Sequence, residues 1–278
     1  MSVLTHNKKD EGVGLYVISF NSPKQFETLI NSMLNYDTDF INKTTKFLLD
    51  NSTDLSTTPR YIEICDEFGF THIKKDNIGI TGGRVFISEH FNDTDLLSYL
   101  FFEDDMSLYT IKGKVCKNGF NRYVPNLFNK IQEILIKDNL DFLKLSFTEF
   151  FGSHDKQWSW YNVDQEFRQK HWINNIILPI EGSEQNQPNL EFKHIKNYKG
   201  LSYATGEIYL SNWPILMSKE GNYKCYIKTK FQYPNENTLM SHCYMETIKG
   251  DINPAVLLLS PIEHIRFDLY ESKLRKEH

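Results

Sequence analysis

The stretch Leu96-Leu97-Ser98-Tyr99-Leu100-Phe101-Phe102-Glu103-Asp104-Asp105-Met106 decides how this chain is read. Leu96 to Phe102 is an almost continuous apolar run and reads as a buried strand, which stops abruptly at three carboxylates. Adjacent carboxylates repel one another, so the arrangement is costly unless a cation neutralises it. Hard oxygen donors in a short turn suit Mg²⁺ or Mn²⁺, which take one or two protein carboxylates and complete their shells with phosphates and water. A solvated acidic turn is the plainer alternative.

Upstream, the run Gly14 to Phe20 is short, apolar and β-branched and stops at Asn21-Ser22-Pro23. It predicts a buried strand followed by a helix. Ser22 can cap that helix, Pro23 suits its first turn, and Phe26, Leu29, Ile30, Met33 and Leu34 recur at helical spacing. Lys46 to Leu49 predicts a second strand, ending in the polar turn Asp50-Asn51-Ser52-Thr53-Asp54. Tyr61 to Cys65 predicts a third, followed by Phe70 to Ile73 and then by a loop containing Gly79, Gly82 and Gly83, with a helix starting past the glycines at Val85. Strands that alternate with helices and end in polar residues describe an open α/β sheet with its ligand at the carboxyl edge.

The second half is less regular. Phe128 to Ile136 reads as helix, Phe142 to Phe147 and Val256 to Leu259 as strands, and Gly152 to Asn175 is aromatic and polar, with Trp158, Trp160, Tyr161 and Trp172. No linker is long enough for independent domains. Two lobes on one sheet are expected, residues 1–110 and 111–278.

The 278 residues are 40% hydrophobic, 14% aromatic and 24% charged, which excludes a disordered chain. No apolar stretch approaches the roughly 20 residues of a membrane span, and residues 1–11 lack the apolar centre of a secretion signal, so a cytoplasmic location is expected. Cys65, Cys116, Cys225 and Cys243 are widely separated, as reduced thiols would be. The net charge of -5 argues against a surface that grips nucleic acid throughout. Between Lys193 and Lys230, however, seven lysines stand against Glu207 and Glu220, a local excess of +5 that is either a solvated face or a site for an anionic partner.

Four pieces in this order resemble the nucleotide-sugar glycosyltransferases of the GT-A fold: Tyr16 to Asn21, Phe47 to Asp54, Asn77 to Arg84, and Phe102 to Asp105. The acidic motif reads Glu-Asp-Asp in place of the family's Asp-x-Asp, a variant similar to that of some animal N-acetylglucosaminyltransferases. The resemblance covers about the first 110 residues well and the remainder in outline. It implies a Rossmann-type sheet with a nucleotide-binding half and an acceptor-binding half, and Mn²⁺ or Mg²⁺ as cofactor. Asp105 would be the main metal ligand and His264, near the end of the chain, a second. Glu103 or Asp104 would reach the ribose or a metal-bound water. Phe20 and Asn21 at the first strand end, Asp50 and Asn51 at the second, and Gly83 with Arg84 would contact the nucleotide-sugar. UDP-sugars are the expected donors. Asp50 and Asn51 equally suit a turn and helix cap, Arg84 an exposed helix position, and His264 a structural role; Arg266 is the fallback for the phosphates.

A general base in an inverting member would sit at the start of a helix in the acceptor half, where Glu236 stands; Glu207 competes with it. The expected acceptor is a glycan or other cell-envelope hydroxyl. Alternatively it is DNA with hydroxymethylated bases: the lysine segment is interleaved with tyrosines, and abundant Asn, Lys, Ile and Phe resemble proteins of AT-rich genomes such as those of large bacteriophages, which would act in the host cytoplasm. A non-catalytic sugar-nucleotide binding protein would keep the same residues. A nucleotidyltransferase would carry a glycine-rich, basic phosphate loop directly after the first strand, and Phe20-Asn21-Ser22-Pro23 is nothing like one.

Overall fold

The structure is a computed structural model that describes residues 12–112, 122–146, 192–208, 210–211, 213–228, 236–259 and 261–265. The aromatic stretch 152–175, Cys116, Lys230 and Arg266 lie outside them. Among the described residues, nine strands form one sheet in the order β3-β2-β1-β4-β9-β6-β10-β8-β7. In chain order these are β1 Val13–Ser19, β2 Thr44–Asp50, β3 Phe70–Lys74, β4 Ser98–Glu103, β6 Phe142–Lys144, β7 Phe192–Tyr198, β8 Leu201–Gly206, β9 Ile215–Ser218 and β10 Pro254–Leu257. A small ribbon pairs β5, Met106–Leu108, with β11, Ile262–His264. The pairings make β1 to β4 parallel, with β6, β7 and β10 running the same way and β8 and β9 reversed.

Both faces of the sheet are covered, which is why β1 is buried along its full length and reads as continuous apolar sequence. On one face Leu15 and Val17 pack with helices α1 (Pro23–Tyr36), α3 (Thr58–Phe68) and α5 (Leu127–Lys137). A short turn, α2 (Asp39–Asn42), leads into β2. On the other face Tyr16 and Ile18 pack with α4 (Gly79–Asn92) and α7 (Glu236–Lys249). Between them the turn α6 (Lys219–Asn222) runs into a π-helical turn, Tyr223–Ile227.

Three expectations are corrected. Tyr61 to Cys65 is the middle of α3: Tyr61, Ile64 and Cys65 are buried and Ile62 is exposed, a helical spacing, with Pro59 in the first turn and Gly69 at φ 72° closing the last. The third strand is Phe70–Lys74. The glycines at 82 and 83 belong to a helix that starts at Gly79; a β-carbon on Gly83 would lie 2.3 Å from Ile18 Cδ1, so this glycine lets α4 close onto β1. Ser22 stands at the N-cap of α1 without a side-chain capping bond; its backbone carbonyl accepts from Gln25 and Phe26 instead.

Candidate active site

The order β3-β2-β1-β4 reverses direction between β1 and β4, and the crevice at such a switch point lies outside the carboxyl ends of the strands. Ser19, Phe20 and Asn21 leave β1 there and Glu103, Asp104 and Asp105 leave β4. The two strand ends are joined by Asp104. Its backbone N–H donates to the Ile18 carbonyl at 3.0 Å, and its Oδ2 accepts from Ser19 Oγ and from the Phe20 N–H at 3.3 Å. Ser19 Oγ in turn meets the Tyr61 hydroxyl, which accepts from the Ser22 N–H at 2.8 Å. Burial, reinforced by nearby Asp104, pushes the Tyr61 pKa upward and keeps this phenol a proton donor.

Asp104 and Asp105 are both buried, each 4% exposed, and Glu103 is half-buried. The Asp105 carbonyl accepts from the Ile265 N–H at 2.9 Å, and β11 places His264 opposite Met106. The backbone of a residue 159 positions downstream of Asp105 is thus paired with the residue that follows the acidic turn. Among the described residues no three His, Cys, Asp or Glu side chains converge on one point. The donor set nevertheless fits Mn²⁺ or Mg²⁺ in chemistry, because carboxylate oxygens at the head of a buried strand are hard ligands and a diphosphate supplies the others.

The second strand end is stitched internally. Asp50 is fully buried; its carboxylate accepts from the Ser52 N–H at 2.8 Å, lies 3.1 Å from His72 Nε2, and has Lys74 Nζ at 3.9 Å. Asn21, at φ 53°, clamps the β1 end to this turn: its N–H donates to Ser52 Oγ, and its Oδ1 accepts from the N–H groups of Thr53 and Asp54. Asn51 reaches the start of α4 through Nδ2 to the Gly79 carbonyl at 3.3 Å, while its buried Oδ1 has no hydrogen-bond partner among the described residues.

Arg84 is not an exposed helix arginine. It is 2% exposed, with its guanidinium 3.8 Å above the Phe101 ring and Nε and Nη2 donating to the Tyr226 hydroxyl at 3.1 and 2.8 Å. Burial opposes its charge, but Tyr226, Tyr99 and the Glu103 carboxylate outweigh this and hold its pKa up. Nη1 has no hydrogen-bond partner among the described residues, and none of them places a carboxylate within ion-pair distance of Arg84. A cation kept this way is a ready partner for an anion.

The two base candidates part company on topology. Helix α7 ends at Lys249, just before β10 begins at the amino edge of the sheet, so its opposite end, at Glu236, is directed toward the carboxyl edge. Glu207 follows β8, a reversed strand, and therefore lies at the amino edge, away from the acidic turn. Four of the seven lysines are also committed. Lys196 pairs with Asp138, Lys199 with Glu133 and Lys224 with buried Asp141, and Lys219 donates to the carbonyls of Phe91, Asn92 and Thr94.

The contacts of Ser19, Tyr61 and Tyr226 and the burial of Lys144 were not read from the sequence. Lys144 is fully buried and its pKa is pushed well below the usual lysine value by burial. It stands in one sheet row with Phe101, Ile215 and Val256, and a lysine inside the apolar run Phe142 to Leu145 was the signal available.

The comparisons with known proteins meet this geometry at the level of the sheet. S. aureus TarS 1–349 in complex with UDP superposes with a TM-score of 0.50 at 13% identity, over 90% of this chain and 58% of that one. The fold is of the GT-A type. The UDP-GlcNAc complex of the same TarS fragment gives 0.48 at 12% identity over 90% and 56% of the two chains. A mannosyltransferase from Pyrobaculum calidifontis with GDP-Man and Mn²⁺ gives 0.35 at 13% over 48% and 34%. The chain thus spans less than two thirds of the length of the TarS structures it matches. No protein-family model and no curated protein matches it.

Proposed function

We propose that this chain is a metal-dependent glycosyltransferase that moves a sugar from a nucleoside-diphosphate donor, a UDP-sugar in the first instance, to a hydroxyl of a glycan or cell-envelope acceptor. The observation that carries the reading is the acidic turn at the β1/β4 switch point with a buried, unpaired-by-carboxylate arginine on the adjoining helix. A diphosphate would bring negative charge toward Arg84, whose buried Nη1 carries hydrogens to donate and has no hydrogen-bond partner among the described residues. Asp105, with His264 from β11, would hold Mn²⁺ or Mg²⁺, which neutralises the departing diphosphate when bound.

Asn51 Oδ1 is an acceptor without a donor, suited to an N–H of the base. Asp50 and Asn21 brace the strand ends rather than touch the nucleotide, because their side chains are already spent on the β1 and β2 turns. Glu236, at the carboxyl edge, takes the proton from the attacking hydroxyl onto a carboxylate oxygen, and Glu207 is set aside by its position. Residues 1–110 form the nucleotide half and residues 111–278 the acceptor half of one catalytic sheet.

Incubation with a panel of sugar nucleotides tests this. Slow release of nucleoside diphosphate from one of them, dependent on Mn²⁺ or Mg²⁺ and lost in Asp105→Ala, is expected. Release unaffected by chelator removes the metal from the reading, and no binding of any sugar nucleotide removes the function.

A further inference from the structure

The acidic turn holds three carboxylates, and one of them, Asp104, is tied to buried groups at the end of β1. Ser19, Tyr61, Ser22 and Asp104 are 1%, 0%, 1% and 4% exposed, so the bonds among them form with little competition from water. Their directions are fixed by counting protons. The Ser22 N–H donates to the Tyr61 oxygen, and the Phe20 N–H and the Ser19 hydroxyl donate to Asp104 Oδ2. Ser19 has one hydrogen and gives it to the carboxylate, so the Tyr61 hydroxyl must give its own to Ser19 Oγ. The result is a one-way chain from α3 through β1 to the head of β4, in which each donor strengthens the next.

We propose that Tyr61 and Ser19 are positioning residues that hold Asp104 turned inward beneath the acidic turn, so that Asp104 fixes the geometry of the turn and Asp105 does the ligand-facing work. The chain ties three elements to one oxygen: α3 supplies Tyr61, the β1 end supplies Ser19 and Phe20, and β4 supplies the carboxylate. With the Asp104 N–H bound to the Ile18 carbonyl, the residue is fixed from its backbone and its side chain together. Its neighbour Asp105 then has its direction set by a short, braced link. The ligand side of this proposal rests on the glycosyltransferase reading; the hydrogen-bond chain does not.

Two measurements separate these. The first is a double-mutant cycle on thermal unfolding with Tyr61→Phe, Asp104→Ala and the pair, in the absence of any ligand. The chain predicts that the pair loses about 2 to 4 °C less than the two single losses together, as coupled neighbours do. Strict additivity, in this cycle and in a second one built on Ser19→Ala, overturns it. The second is UDP binding across a Mn²⁺ series. Tyr61→Phe should weaken Mn²⁺-dependent UDP binding roughly tenfold, the loss expected when a supporting partner of a metal site is removed, and leave binding of uridine unchanged. Asp104→Asn keeps an acceptor for Ser19 and Phe20 and should still saturate with Mn²⁺, whereas Asp105→Asn should not. If Asp104→Asn abolishes the metal dependence as fully as Asp105→Asn, Asp104 is itself a ligand and the proposal fails. If wild type binds no nucleotide, the proposed function fails, and the unfolding cycle still decides the chain.

Discussion

Replacing Arg84 with methionine sets fold against function and gives each a sign. In the wild type the guanidinium donates twice to Tyr226 and lies 3.8 Å above Phe101. Losing it strands the buried Tyr226 hydroxyl, at about 1 to 3 kcal/mol, and removes a desolvated cation–π contact of about 2 kcal/mol. Against this stands the several kcal/mol that it costs to hold a cation out of water with no contacting carboxylate, which methionine does not incur. The two sides nearly cancel, so Arg84→Met should unfold in urea within about 2 kcal/mol of wild type, on either side. Its calorimetric affinity for UDP should nevertheless fall by roughly a hundredfold, about 2.8 kcal/mol. A loss of more than 5 kcal/mol of stability with undiminished UDP affinity would refute the reasoning, because Arg84 would then be a structural residue and nothing else.

Glu236→Gln should lower turnover by about 10² to 10⁴-fold with donor affinity unchanged, and Glu207→Gln should leave turnover within about twofold, both read from steady-state rates. Gly221→Ala places a β-carbon 2.0 Å from the Asp141 carbonyl oxygen, a backbone atom that cannot rotate away. It should cost more than about 3 kcal/mol in chemical denaturation, and a near-neutral result would contradict the close approach of α6 to β6. Burial works against the charge of Asp138, but Lys196 and Tyr203 outweigh it and hold its pKa below the ordinary value. Its folded pKa therefore lies under its unfolded one, so the stability it contributes is complete above about pH 4 and lost as pH falls through the folded value. Asp138→Asn should flatten that acid limb in a series of melting temperatures.

The parts of the fold that were legible were those where burial on both sides makes the sequence uniformly apolar. β1 and β4 were found because a buried strand fits a nearly uniform apolar run ended by polar residues, and β2 from the shorter run Phe47 to Leu49 ahead of Asp50. α3 was misread because Tyr61, Ile64 and Cys65 are interrupted by Ile62 on the solvent side, and one exposed isoleucine turns a helical spacing into an apparent apolar run. The acidic turn was visible at the end of an apolar run, whereas His264 was singled out only through the family resemblance; the structure pairs its backbone with Met106. The inward carboxylate was not visible, because Ser19 and Tyr61 lie 42 residues apart and their meeting depends on how α3 packs against β1. The burial of Arg84 was not legible, because it follows from Gly83, which brings the helix down onto Ile18, and from a tyrosine 142 residues away.

The central claim is that a nucleoside diphosphate binds at the carboxyl edge between β1 and β4 with help from a divalent ion. Calorimetric titration of the full chain with UDP and with GDP, with Mn²⁺ and with chelator, tests it most directly. The account predicts saturable binding of at least one of them in Mn²⁺, weakened by chelator and abolished by Asp105→Ala. Tight binding that ignores both the chelator and the Asp105→Ala substitution would contradict it.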